Sequence, residues 1–423
     1  MRESNSKKTL IVIENLPAPF DRRVWSEATT LHAAGIEVSI ICPMLKGYDE
    51  PYEEIDGIHI YRHPLKEAGA SKLGYLGEYF AALFHQFRLS MLIRKERGFD
   101  VIHACNPPDL IFIVVLFHRI FFGTKFIFDH HDLCPELFMA KFGTLTLAKR
   151  VLLRCVKLVE RATFMLADIS IATNKSYKKI AVERGRMAPE DVFVVRSGPR
   201  LDKLKIQPAE AKYRKGFEYL VGYVGVIGEQ EGLDLLVDAV DNLVNCIGRT
   251  DTHFAIIGDG PARASIVKMV VDRKLEKYFS FYGRVDDRTF LSVLNSADVC
   301  VNSDRYCAMN DLSTMNKIVE YMALAKPIIQ FDLTEGRVSA GKASLYARHD
   351  DTVDFANKID RLLSDPIARR EMGEFGRRRV EAKLSWKYSA PVLLRAYSKV
   401  FNNTKNEVIE MPESVASAVK VAK

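Results

Sequence analysis

The chain has 423 residues, 48% hydrophobic and 27% charged, with 24 Gly and 16 Pro. That balance excludes a disordered, fibrous or disulfide-stapled chain, and at about 100–200 residues per domain the length excludes a single small binding module. Lys and Arg number 61 against 54 Asp and Glu, a net charge of +7 spread along the chain, which suits anionic small molecules or an anionic membrane face and argues against nucleic acid as a partner.

Met1 to Thr9 is polar and leads at once into a short apolar run, without the long apolar core of a secretory signal. Leu10 to Glu14 reads as a strand, Trp25 to Ala34 as an amphipathic helix closed by Gly35, and Val38 to Cys42 as a second strand, so the chain opens with a β-α-β unit. Strand-like runs recur at Val101–His103, Lys125–Phe128 and Ile169–Ala172, each followed by turn residues and a helical stretch. The longest apolar stretch, Leu110 to Phe117, falls short of the ~20 residues needed to span a bilayer.

The alternation lapses between Gly198 and Gly216. It resumes at Tyr219–Val226 and continues through Phe254–Ile257, Phe279–Tyr282, Val299–Asn302 and Pro327–Phe331. The reading is an α/β chain of two doubly wound Rossmann-like domains, residues 1–205 and 206–385, with a cleft between them, a terminal helix at 386–402 and a mobile tail at 403–423. Seven cysteines, at 42, 105, 134, 155, 246, 300 and 307, form no C-x-x-C pair. They read as reduced packing residues of a cytoplasmic protein, with neither a zinc site nor a disulfide framework.

In the second half the densest polar run is Asn310 to Ala323. Ser313 or Thr314 is expected to cap a helix whose free N–H groups, with Asn316 in the first turn, would meet an anion such as a diphosphate. Lys317 and Glu320, three apart, share a helix face. The ammonium suits phosphate and the carboxylate suits vicinal hydroxyls, while an ordinary exposed helix face is the alternative.

The segment Ser313 to Phe331, with its K-I-V-E-Y-M-A-L-A-K-P-I core, resembles the donor-site helix and following strand of family 4 glycosyltransferases, which have the GT-B fold. The opening P-A-P-F-D-R-R-V-W-S-E-A, Pro17 to Ala28, is similar to a branch that builds exopolysaccharides and surface glycans. His131-Asp132, Val195–Pro199, Gly258–Pro261, Tyr282–Val285 and Ser296–Val299 agree in order and spacing.

The resemblance implies a retaining transferase with a nucleotide sugar as donor substrate and no further cofactor. Glu320 would bind the ribose, Lys317 the diphosphate, and the backbone around Arg284 and Val285 the base, with the turn at Gly228 alongside and Arg337, in a loop after the last strand, either on sugar or phosphate or in a surface salt bridge. His131, with Asp132, would stand at the catalytic centre. His130 is a neighbouring packing residue or an acceptor-loop residue, and His103 and Asp21-Arg22-Arg23 are acceptor-side candidates, with Asp21 as a simple helix cap and Glu27 exposed beyond it as the alternative.

Three positions depart from the family pattern. Leu312 stands where many members place a sugar-binding glutamate, with Asp311 beside it as a substitute, and Val226 and Glu231 replace two diphosphate-holding cations. No D-x-D triplet follows a strand, so cations and helix dipoles are expected to meet leaving-group charge without a metal. Tyr75–Arg97 and Thr146–Arg161 mix aromatic or aliphatic residues with Lys and Arg. This suits either a helix on an anionic membrane, beside a lipid-linked or polysaccharide acceptor, or a core helix with a solvated charged face. A catalytically silent scaffold and a nucleotide-sugar epimerase are the competing functional readings.

Overall fold

A computed structural model describes residues 7–45, 47–64, 72–107, 109–143 and 146–402, with backbone only at 72–79, 142 and 402. The expected tail at 403–423 lies outside the described residues. Two compact units emerge: one runs to Ser197 and takes in the chain again from Trp386, and the other is Gly198–Ser385. The division therefore falls several residues before 205. The terminal helix Trp386–Asn402 belongs to the first unit because Leu393, Leu394, Tyr397 and Val400 are buried with Ile11, Val24, Leu31 and Ile127.

The first unit holds an eight-stranded sheet: β1 (Lys8–Val12), β2 (Glu37–Pro43), β3 (Tyr52–Ile55), β4 (Ile58–His63), β5 (Val101–Cys105), β6 (Lys125–His130), β7 (Ile169–Ala172) and β8 (Val192–Val194). Its order is β3-β4-β2-β1-β5-β6-β7-β8, parallel except for the β3–β4 hairpin. The second unit holds β9 (Tyr219–Val224), β10 (Thr252–Ile257), β11 (Phe279–Gly283), β12 (Val299–Asn302), β13 (Ile328–Phe331) and β14 (Ser344–Ala347), in the order β11-β10-β9-β12-β13-β14.

Strands covered by helices on both faces need apolar residues at successive positions, and β5 and β10 are buried at every residue. That is why short uninterrupted apolar runs, without alternation, marked them in the sequence. The order of each sheet reverses about its first strand: β1 lies between β2 and β5, and β9 between β10 and β12. In a doubly wound sheet, ligands bind beyond the carboxyl ends of the strands at that reversal. Each unit therefore has one favoured place for chemistry.

Two strands run further than their apolar letters suggested. β5 continues past His103 to Cys105, and β6 continues through Asp129 and His130, so these polar side chains lie within the sheet instead of beyond its end. All three are fully buried.

Candidate active site

At the reversal in the first unit, the helix Arg22–Ala33 follows the loop after β1. Asp21 caps it, its Oδ1 accepting from the N–H groups of Arg23 and Val24 at 3.0 Å each. Arg22 is exposed. Arg23 turns inward and donates through Nη2 to Asp129 Oδ1 at 2.9 Å and through Nη1 to the Val195 carbonyl at 2.7 Å. Glu27, one turn on, is buried and lies 3.1 Å from Arg23 Nη2. The expectation of an exposed Glu27 is thus corrected: the i,i+4 pair faces the sheet, where Asp129 supplies Arg23 with a second anion.

His131 Nε2 lies 2.5 Å from Asp129 Oδ2 and 2.9 Å from Arg23 Nε, with the side chain 17% exposed. Asn106 fixes the backbone of this loop, its Oδ1 accepting from the N–H of His131 at 2.7 Å and of Asp132 at 3.1 Å, while its Nδ2 donates to the Asp132 carbonyl at 2.7 Å. Burial alone would lower the His131 pKa, but the Asp129 carboxylate more than reverses this and leaves it raised. Asp129 itself is held well below the usual carboxylate range, since Arg23 and His131 outweigh the effect of its burial. Burial raises Asp132. Burial also carries Glu27 up to about 7, against the pull of Arg23.

Two acceptor-side expectations are corrected by this geometry, and of the two readings of His130 the packing one holds. Arg23 is consumed by internal partners. His103 is sealed in the core with Nδ1 2.9 Å from Tyr397 Oη and Nε2 3.4 Å from Asp129 Oδ2. His130 packs among the rings of Phe128, Phe164 and Tyr177, and burial lowers it to about 3, so it is a neutral packing residue.

At the reversal in the second unit, the helix Asn316–Ala323 begins later than expected. Met315 occupies the cap position and makes no side-chain cap, because Ser313 donates its hydroxyl back to the Met309 carbonyl at 2.7 Å and closes the preceding helix, Ala308–Leu312. The cap position is thus Met315 and not Ser313 or Thr314. Asn316 is exposed at its first turn, and Glu320, half-buried, lies one turn beyond.

Lys317 reaches between the strands. Its Nζ lies 2.9 Å from Asp304 Oδ1, just past β12, and 3.5 Å from Tyr223 Oη on β9. Burial opposes its charge, yet Asp304 outweighs burial and the ammonium is stabilised. Glu231 adds a second negative neighbour, and burial raises its own pKa. The turns here need glycine: a Cβ on Gly258, at φ +130°, would sit 1.8 Å from the Gly225 carbonyl oxygen. At Gly228 a Cβ would meet Glu231 Oε2 at 2.5 Å.

The remaining candidates stand around this centre. Asp311 holds the N–H and hydroxyl of Thr334 at 2.8 and 3.0 Å, tying two helices together. Arg337 lies in the helix Thr334–Ala340, not in a loop after the last strand, since β14 follows. Its guanidinium donates to Asp332 at 2.8 and 2.5 Å and lies over the Tyr346 ring. Arg284 is exposed and Val285 half-buried, in the turn after the edge strand β11. Asp304, Tyr223 and Tyr397 were missed by sequence reasoning. The signal for the first was an acid directly after a strand that ends at a reversal.

Of the two basic apolar stripes, the first falls in the helix Lys72–Glu96 and the second in Leu147–Leu166. The second leaves Leu147, Val151, Leu158 and Met165 exposed beside Arg150, Arg154 and Lys157. No helix among the described residues is long and apolar enough to cross a membrane.

Two family models match the chain, "Glycosyltransferase Family 4" over residues 21–203 and "Glycosyl transferases group 1" over residues 218–365. An alpha-D-kanosaminyltransferase of Streptomyces kanamyceticus is 27% identical over 360 residues, covering 81% of this chain and 89% of its own. Among solved structures, sucrose-phosphate synthase from Thermosynechococcus elongatus superposes with a TM-score of 0.76 at 19% identity, covering 94% of this chain and all of its own. The HepE protein of Anabaena in complex with UDP-glucose gives a TM-score of 0.68 at 14% identity, covering 92% of this chain and 99% of its own.

Proposed function

The chain belongs to the family 4 and group 1 glycosyltransferases and has their GT-B fold, and from that premise we propose that it moves a hexosyl or related sugar from a nucleotide-sugar donor to a hydroxyl of a lipid-linked or polysaccharide surface glycan. The observation that carries this reading is Lys317 and Glu320 on one helix at the β9–β12 reversal, with Lys317 bridging Tyr223 of β9 and Asp304 beyond β12. A donor placed there meets an ammonium suited to its diphosphate and a carboxylate suited to its ribose hydroxyls. In the first unit His131 takes the role of orienting a reacting hydroxyl, its ring held by Asp129.

Retention of configuration follows the family pattern. We further propose that no divalent metal takes part, because no D-x-D triplet follows a strand. Among the described residues, one metal-competent cluster, His103, Cys105 and Asp129, is buried, and its carboxylate already holds Arg23. The exposed apolar and basic face of Leu147–Leu166 supports a cytoplasmic enzyme resting on an anionic membrane beside its acceptor.

Incubation with a panel of nucleotide sugars and an acceptor-bearing membrane extract, with and without a chelator, tests the reaction. Transfer that survives chelation and yields an unchanged anomeric configuration supports the reading. Loss of transfer on chelation contradicts the metal-free mechanism, and inversion contradicts retention. Failure to sediment with anionic vesicles at low salt, together with efficient use of a water-soluble acceptor, removes the lipid-linked acceptor.

A second reading has its own observation: Lys317 is already matched by Asp304 and Glu231, and exposed Val226 stands where family members carry a cation. A silent scaffold that binds sugar nucleotides without turnover is its form, and turnover with any donor excludes it.

A further inference from the structure

The His131 ring is poised between two partners that demand opposite states of the same nitrogen. With a proton on Nε2 it donates to Asp129 Oδ2 at 2.5 Å, and without one it accepts from Arg23 Nε at 2.9 Å. The choice depends on the charge behind Arg23. There Glu27 lies 3.1 Å from Arg23 Nη2 and 3.8 Å from His103 Nε2, fully sealed from solvent. Neither Glu27 oxygen accepts a hydrogen bond among the described residues. A buried carboxylate so poorly solvated persists in its charged form only through the charges around it.

We propose that Glu27 is a positioning residue for His131: from behind Arg23 it supplies the negative charge that keeps the imidazole protonated on Nε2 and turned to Asp129. The inference rests on the role proposed for His131 and adds what sets its state. The groups facing the pair are Asp21, Arg23 and Glu27 at the Arg22–Ala33 helix, His103 and Cys105 on β5, Asp129, His130 and Asp132 on β6 and the loop beyond, and Tyr397 on the terminal helix. Tyr397 closes the far side, its hydroxyl 2.9 Å from His103 Nδ1 and 3.2 Å from Thr9 Oγ1.

Arg23 and Asp129 balance one another, so ionised Glu27 with protonated His131 and neutral Glu27 with neutral His131 both leave the cluster uncharged. One proton is shared across the guanidinium. Glu27, sealed from solvent, acts only through Arg23 and His131, which separates it from a catalytic residue.

The test is a pH titration of the His131 ring nitrogens by NMR in full-length, histidine-labelled protein. Glu27→Gln should lower the His131 midpoint by about half a pH unit or more, a threefold or greater loss of proton affinity. Glu27→Asp, which restores the charge, should recover most of it. An unchanged midpoint in folded Glu27→Gln, or an Asp variant that matches Gln, overturns the proposal. Should Glu27→Gln fail to fold, the wild-type protein decides: the Glu27 carboxyl carbon and the His131 ring should each show an inflection at the other's midpoint, and independent single titrations would refute the coupling. The readout needs neither donor nor acceptor, so an inactive enzyme would leave this inference standing while removing the proposed reaction.

Discussion

The two sheet reversals occupy equivalent places in similar sheets, yet they bury charge in different ways. In the first unit Arg23 stands among Glu27, Asp129, His103 and His131, and burial holds the Glu27 carboxyl near 7. In the second, Lys317 meets Asp304 and Glu231, and it stays cationic. The fold supplies a crevice in both cases, and the residues decide what charge it holds.

The largest effect expected is from Arg23→Met. It strands Asp129 and Glu27 inside the first unit and should cost about 3–5 kcal/mol. Both tryptophans of the chain, Trp25 and Trp386, lie in that unit. Urea unfolding followed by tryptophan fluorescence should therefore shift strongly, and an unshifted curve would break the comparison. Lys317→Met is the counterpart. It leaves Asp304, with a side chain 2% exposed, without its cation at a cost of about 3 kcal/mol. The loss should appear in circular dichroism while the fluorescence transition stays in place.

His130 sharpens the difference through pH. Burial lowers its folded pKa to about 3 from the ordinary 6.5, so below pH 6.5 the unfolded chain takes up a proton that the folded unit refuses. Stability is present above pH 6.5 and lost as pH falls toward 3, about 2 kcal/mol of it by pH 5. His130→Leu should remove that share, and the difference between wild type and variant across pH 5–7 measures it. Glu27 acts with the opposite sign: held near 7 against 4.5, it removes stability as pH rises between those values. Tyr397→Phe removes two buried hydrogen bonds, to His103 and Thr9, and should cost about 2 kcal/mol by the same fluorescence assay. The smallest effect is expected from Glu231→Gln, which should tighten nucleotide binding roughly threefold in calorimetry at low salt and less at high salt.

The central strands of both sheets were legible in the sequence because parallel strands, buried on both faces, are written as short apolar runs between helices, whereas β3, β4, β8 and β14, at or next to the sheet edges, were not read. Also legible was the helix bearing Lys317 and Glu320, whose motif lies in consecutive residues. Its cap was not, because Ser313 and Thr314 satisfy the usual preference and the choice of the Met309 carbonyl is made by local geometry. Arg23 looked like a ligand contact and Glu27 like surface charge for a different reason: Asp129 and His103 reach them from strands far along the chain, brought alongside only by sheet order. Asp304 escaped notice in the same way, since its partner Lys317 sits in a separate element.

The proposed reaction stands on a nucleotide-sugar site at the β9–β12 reversal. The most direct measurement is the thermal shift of the full chain with UDP, GDP, dTDP and CDP, each beside a Glu320→Ala control, because a ligand bound only by the folded state raises stability by mass action. A rise with one nucleotide that vanishes in the control is the predicted result. A shift that persists undiminished in Glu320→Ala, or none with any nucleotide, would contradict it.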